Sequence, residues 1–142
     1  MATESAEQTT WLRAVPLFKG LSDHELKEVV RVAKVVDHED GHEIIAEGQL
    51  GIGFHLILSG EARVSQRGKE LSVLKPGQYF GEIALLDGQG RSATVTAVGP
   101  VRTLTIVVWG LEPILNEHPT MAIALLKELC SRLRRVEASI LQ

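Results

Sequence analysis

The 142 residues carry 15 Lys and Arg against 18 Asp and Glu, a formal net charge of −3, which gives no basis for non-specific attraction to nucleic acid. The length suffices for one domain whose core needs neither disulfides nor metal. A single cysteine, Cys130, has no partner within the chain and fits a reducing compartment. MATESAEQTT has no basic segment leading into an apolar core, and the longest apolar run, around Ile106 to Trp109, is strand-sized. Neither a signal peptide nor a membrane span is read, and a cytoplasmic location is expected.

Residues 1–10 are polar and read as a flexible tail ahead of one domain over 11–142. Trp11, Leu12, Val15, Leu17 and Phe18 recur at helical spacing, interrupted by Pro16. Ser22-Asp23-His24-Glu25 is a capping box: the serine accepts from the third helical N–H and the glutamate reaches back. The helix it opens turns Leu26, Val29 and Val30 inward and fades near Lys34.

From Val35 to Trp109 the period changes to about two. Gly41, Gly48, Gly51, Gly53, Gly60, Gly68, Gly77, Gly88 and Gly90 punctuate short apolar runs. That rhythm predicts many short antiparallel strands in a barrel or sandwich. Thr94-Val95-Thr96-Ala97 and Thr103-Leu104-Thr105-Ile106 alternate cleanly. After Trp109 the period is helical again, with a short helix from Leu111 to Asn116 and a longer one starting at Pro119, a favoured first-turn position for proline. The fold class is mainly β with flanking helices: an N-terminal helical segment, a β body and a long C-terminal helix.

Within the β region, FGEIALLDGQGRSATVTA (Phe80–Ala97) sets one acid and one base among small residues. Gly81 to Leu86 reads as a turn or two of helix between strands. The N–H groups at a helix start lack partners and attract anions, and Gly81 and Ala84 are small enough for a ligand to approach that backbone. Arg91 offers a permanent charge and a fork matched to two phosphate oxygens, and Ser92 a hydroxyl. Glu82 has the wrong sign for a phosphate but accepts from a neighbouring sugar hydroxyl. The stretch suits a compact sugar phosphate; an isolated Glu82–Arg91 pair would equally serve as a structural ion pair capping a short helix.

These residues resemble the phosphate-binding cassette of the cyclic nucleotide-binding domain family, which includes bacterial cAMP-receptor transcription factors and the regulatory subunits of cAMP-dependent kinase. Glu47-Gly48, Gly51, Phe54, Ile57 and Ser59-Gly60-Glu61 follow the family's earlier strand and turn pattern, and the likeness covers roughly residues 15–140. The resemblance implies an eight-stranded β jelly roll and a non-catalytic sensor. It implies that Arg91 pairs with the cyclic phosphate and that Glu82 binds the ribose 2′-OH. The N–H groups of Ile83 and Ala84, with Ser92, would complete the cradle at Gly81. The sequence departs from the family pattern at Gln49 and Ile52, where aspartates are common, and at His55, where an aromatic is common. Ser92 is found in bacterial cAMP-binding relatives, so cAMP is the expected ligand, with cGMP second.

On the last helix, Ala122, Leu126, Leu129, Leu133, Val136 and Ile140 form a heptad seam. It serves either the chain's own core or a partner, and the family's transcription factors dimerise through the equivalent helix, so a homodimer is expected. The same helix usually closes over the base of the ligand. A Thr-Ser pair that reads adenine in the bacterial receptors is replaced here by Val136 and Glu137, with Arg132 and Arg135 as neighbours able to stack on a base.

Other signals are weaker. Gly88-Gln89-Gly90-Arg91-Ser92-Ala93 matches G-x-G-x-x-A, but a strand follows where a dinucleotide fold needs a helix. His38 and His42 are four apart with a glycine between, which makes a turn rather than a metal site. Asp37-His38-Glu39-Asp40 reads as a charged loop. Nothing places a base beside an activated nucleophile among His24, His55 and His118, and Cys130 is expected as a packed, unreactive thiol. No catalytic set, metal site or cofactor is read. No helix-turn-helix follows the last helix, so no direct nucleic-acid binding is expected from this chain, and the regulated partner is not encoded in a motif. A nucleotide-blind interaction module of the same fold is the rival reading.

Overall fold

The capping box forms as written. The Ser22 N–H donates to Glu25 Oε1 at 2.8 Å and the Glu25 N–H to Ser22 Oγ at 3.2 Å. Two orphan donors at the start of a helix are thereby satisfied. This computed structural model describes residues 2–46, 53–81 and 93–141. Contacts divide the chain into two compact units, a helical one from the chain ends (through Arg31, and from Glu112) and a β unit over Val32–Leu111.

The helical unit contains α1 (Ala2–Arg13), a 3-10 turn (Pro16–Phe18), α2 (Asp23–Val32) and α4 (Pro119–Leu141), together with the end of α3 (Val108–Glu117). The expected loose tail is instead helical from Ala2. Thr10 satisfies its hydroxyl on the Ala6 carbonyl at 3.0 Å, and the last turn buries Leu12 completely and runs into the 3-10 turn. Val15, Leu17, Phe18, Leu21, Leu26, Val29, Val30, Ile114, Met121 and Leu125 are its other buried apolar side chains among the described residues. Arg13 pairs with Asp23 at 2.6 Å, and the Thr120 hydroxyl donates to Glu25 Oε2 at 2.9 Å. α3 begins three residues before the expected Leu111, with Pro113 inside it; proline there removes one helical donor, which the remaining turns tolerate.

The β unit is one antiparallel sheet built on two 14-residue strands, β3 (Gly53–Gln66) and β6 (Thr94–Val107). β1 (Lys34–His38) and β2 (Glu43–Ile45) pair with β6, while β4 (Lys69–Leu74) and β5 (Tyr79–Phe80) pair with β3. Six strands are present among the described residues, rather than the implied eight. The physical reason lies at the glycines taken as breaks. The β3–β6 register shifts between Ile57 and Ser59 and again between Ser59 and Glu61, so both strands bend without ending. Gly60 makes this bend possible: its φ is 85°, and a Cβ there would strike the Pro100 carbonyl.

One side of the sheet gathers an apolar cluster of Ile45, Ile57, Ala62, Val95, Ala97 and Val101, with Phe80, Val64, Leu74 and Ile44 packed against it. Phe54, Leu56, Leu104 and Ile106 point to the opposite side and are also buried. The middle of β3 and β6 is therefore covered on both faces.

Candidate functional site

Glu82, Ile83, Ala84, Arg91 and Ser92, like Glu47-Gly48 and Gly51, lie outside the described residues. Gly81 and both flanks of the 82–92 segment lie within them. On the leading side, Phe80 and Tyr79 pair with His55 and Leu56 of β3. Gly77 and Gln78 add two backbone hydrogen bonds to Ile57, at 2.8 and 2.9 Å. Gly81 then takes φ 88°, in the left-handed region that favours glycine, as the chain leaves the sheet. On the trailing side, Val95 pairs with Val64 on one edge and Ile45 on the other. The two flanks meet the same apolar cluster: Val95 belongs to it and Phe80 packs against it.

His55 is 6% exposed, and its ring stacks on Phe80 with centroids 5.0 Å apart at 22°. Its Nδ1 lies 3.0 Å from Thr105 Oγ1, Thr105 Oγ1 is 3.0 Å from Thr103 Oγ1, and Thr103 Oγ1 is 3.0 Å from His38 Nε2. Register explains the chain: His55 lies opposite Thr105, and Val36, two residues before His38, opposite Thr103. All four side chains therefore share one face. His38 stacks on His42 at 5.4 Å, and the turn between them is tied to β6 by Gly41 N–H to the Ala97 carbonyl at 2.9 Å. Burial, then the neighbouring His42, pushes the His38 pKa down, against the pull of Asp37. The Asp37 carboxyl is held low chiefly by its hydrogen bond from Arg102, at 2.8 Å. An open pocket of about 670 Å³ adjoins this end, lined by residues including Asp37, His38, Glu39, Asp40 and Arg102. The sequence marks His55 as a departure from the family pattern and as an isolated histidine, and Thr103 and Thr105 as strand alternation. No local signal joins residues 50 and 65 positions apart.

On α4, Arg132, Arg135 and Val136 line a shallow groove with Ser139 and Ile140, while Glu137 is exposed. The packed stripe of the helix is Met121, Leu125 and Glu128. The heptad seam lies elsewhere: Leu126, Leu133, Val136 and Ile140 are exposed and Leu129 half-buried. Cys130, expected to be packed, is exposed because it too lies off the packed stripe. Among the described residues no helix is long and apolar enough to cross a membrane, and no group of three His, Cys, Asp or Glu side chains converges as metal ligands would.

The sequence model of the cyclic nucleotide-binding domain family matches residues 35–118. A cAMP-dependent protein kinase regulatory subunit of Eremothecium gossypii is 39% identical over 107 residues, 75% of this chain and 23% of that protein. A cGMP-dependent protein kinase of Eimeria tenella is 37% identical over 101 residues, 71% of this chain and 10% of that protein. The chain therefore spans a quarter or less of these relatives. The crystal structure of the N-terminal domain of a transcriptional regulator from Streptomyces coelicolor A3(2) superposes with a TM-score of 0.83 at 30% identity, covering 92% of this chain and 94% of that one. With the β frame, the family match and the Streptomyces domain in agreement, the chain belongs to the cyclic nucleotide-binding domain family, a regulatory module related to cAMP and cGMP sensors.

Proposed function

We propose that the chain is a non-catalytic cytoplasmic sensor that binds one cyclic nucleotide, cAMP in preference to cGMP, within a domain spanning 11–142. Gly81, Glu82, Ile83, Ala84, Arg91 and Ser92 form the cradle, with Arg91 on the phosphate and Glu82 on the ribose 2′-OH. The observation that carries this reading is the frame around 82–92: a positive-φ glycine directly after Phe80, and strands on both sides paired to β3. A phosphate-binding loop needs its backbone donors aimed in advance, and fixed strand ends supply that. Binding is relayed through α4 to a partner or attached domain, with Arg132, Arg135, Val136 and Glu137 meeting the base and the exposed seam pairing two copies. Calorimetric titration with cAMP and cGMP tests the core of the reading: saturable heat with one site per chain is expected, and cAMP the tighter ligand.

A second reading draws on the same seam. Apolar side chains exposed at Leu126, Leu133, Val136 and Ile140 suit a constitutive interaction module that ignores nucleotide. No heat from either nucleotide, together with stable self-association, would favour it. Turnover of cAMP on prolonged incubation would instead mark an enzyme.

A further inference from the structure

Glu128 stands on α4 where packing calls for an apolar residue. It continues the stripe of Met121 and Leu125, which are 0% and 2% exposed, and is itself only 9% exposed. Among the described residues its carboxylate has neither a hydrogen bond nor an ion pair. A carboxylate removed from water without a partner destabilises the fold strongly. Its retention at this position points to a partner outside the chain. The carboxylate lines a pocket of about 430 Å³ between the end of the 3-10 turn and α4, wholly within the helical unit. Thr120, Ala124 and Glu128 follow one another along α4 at steps of four, so they share one face, with Ile123 beside them. Gly20 lies opposite: a Cβ built on it would sit 3.6 Å from the Ala124 Cβ. Two such small residues leave the space between turn and helix unfilled. Ile123, 52% exposed, gives the pocket an apolar wall. Lys19 and Lys127 are exposed and bring two cations to its rim.

We propose that this pocket docks an arginine side chain of a partner protein, presented in a segment with acidic neighbours. With both oxygens unpaired, Glu128 matches the two parallel N–H groups of a guanidinium, whereas an ammonium would leave one oxygen unmet. The apolar stem of the arginine lies along Ile123 and Ala124. The rim sets the flanking chemistry. Lys19 and Lys127 repel an isolated cation, so the ligand needs negative charge beside the positive one, and an aspartate or glutamate next to the arginine supplies it. The same lysines disfavour polyamines and basic peptides. Neither lysine takes the place of the ligand. Lys127 is the sequence neighbour of Glu128, and adjacent helical residues do not face each other. Lys19 lines the pocket without forming an ion pair to Glu128. Thr120 has no proton to give, because its hydroxyl donates to Glu25 at 2.9 Å. The pocket shares no residue with the nucleotide cradle or the heptad seam, so the inference stands apart from both.

Two measurements on the full chain test this. The first is urea unfolding of Glu128→Gln, which keeps the shape of the side chain and removes its charge. The unfolding midpoint should rise, because an unpaired buried charge is gone. A midpoint that stays or falls shows a carboxylate already satisfied within the chain and overturns the proposal. The second is an amide-shift titration, to millimolar concentration, with a blocked peptide carrying one arginine between two glutamates. Saturable shifts are expected at Gly20, Ile123, Ala124 and Glu128. Binding to Glu128→Gln should be weaker by about tenfold or more, the worth of hydrogen bonds to a charged group. Lysine in place of the arginine should weaken the peptide several-fold, and lysines in place of both glutamates should abolish its binding. Lys19→Ala should weaken the parent peptide; a gain in affinity would show Lys19 occupying Glu128 itself and overturn the proposal. Free arginine or the lysine-flanked peptide binding as tightly refutes docking of an acidic, arginine-bearing segment. Absent shifts, or equal shifts in Glu128→Gln, refute the site.

Discussion

Leu133→Glu separates the two sides of the C-terminal helix. Leu133 is 59% exposed in the single chain, and Leu126, one heptad earlier, is exposed to the same degree. Complete burial of a leucine is worth roughly 1.5–3 kcal/mol, so covering the exposed share in a partner yields about 1–2 kcal/mol per side chain. A carboxylate at 133 forfeits that and is desolvated opposite its own copy, at a cost of several kcal/mol on the order seen for unpaired buried charge. In the monomer the same change touches little and should shift stability by no more than about 0.5 kcal/mol. Leu125→Ala is the counterpart: Leu125 is 2% exposed on the packed stripe, and its truncation should cost about 2–5 kcal/mol of stability without a direct effect on association. Sedimentation velocity with urea unfolding measures both quantities. Leu133→Glu should give a folded monomer from a dimeric parent. A parent that is monomeric at high micromolar concentration, or a Leu133→Glu variant that still dimerises, refutes pairing through this seam.

Arg91→Ala should weaken cAMP by about 2–5 kcal/mol, roughly thirty- to several-thousand-fold, as for one partner removed from a buried charge pair; undiminished affinity by calorimetry would remove Arg91 from the site. Glu82→Ala should weaken cAMP strongly and 2′-deoxy-cAMP much less, and equal losses would dismiss the ribose contact. Ser22→Ala should cost about 1 kcal/mol at neutral pH through the lost cap. The Glu25 carboxyl is held below 4.5, chiefly by the Ser22 N–H, so its contribution is present above that value and fades as pH falls through the lowered one. Urea melts that show no such loss on acidification would contradict it. On cAMP addition, amide exchange should slow over residues 125–140; unchanged exchange there, with 82–92 protected, would deny α4 a role over the base.

What could be read in the sequence was local. Ser22 and Glu25 are three residues apart, and their reciprocal hydrogen bonds depend on nothing outside that turn. Pro119 starts its helix for the same reason. Phe80–Ala97 offers one acid, one base and small residues as a local composition, and Glu82 to Ser92 lie outside the described residues. Misreadings occurred where distant contacts decide. Gly60 looked like the end of a strand, yet the ladder to β6 carries the chain through it with a bulge. On α4, periodicity left open which stripe packs inward, because that stripe contains an acid, Glu128, that breaks its apolar pattern. Ala2–Arg13 has almost no apolar stripe, and its helix is fastened at the far end by Leu12. The His38–Thr103–Thr105–His55 chain needs the register of three strands before it exists at all.

That register also makes the two ends of the 82–92 segment unequal. Beyond Thr94, successive residues pair with both β3 and β2, as Val95 does with Val64 and Ile45. Before Gly81, the sheet holds only Tyr79 and Phe80, and holds them through β3 alone among the described strands. A ligand can shift an equilibrium only where two arrangements differ in contact with it, and a strand laddered on both edges has few arrangements to offer. The leading side, with two paired residues, a glycine at φ 88° and a ring stack, has more. Nucleotide binding should therefore be felt first at Phe80 and His55. Fluorescence or ring-proton shifts at Tyr79 and Phe80 should respond to ligand more strongly than amide shifts at Val95 and Ala97, and the opposite ranking would place the compliant side of the loop at β6.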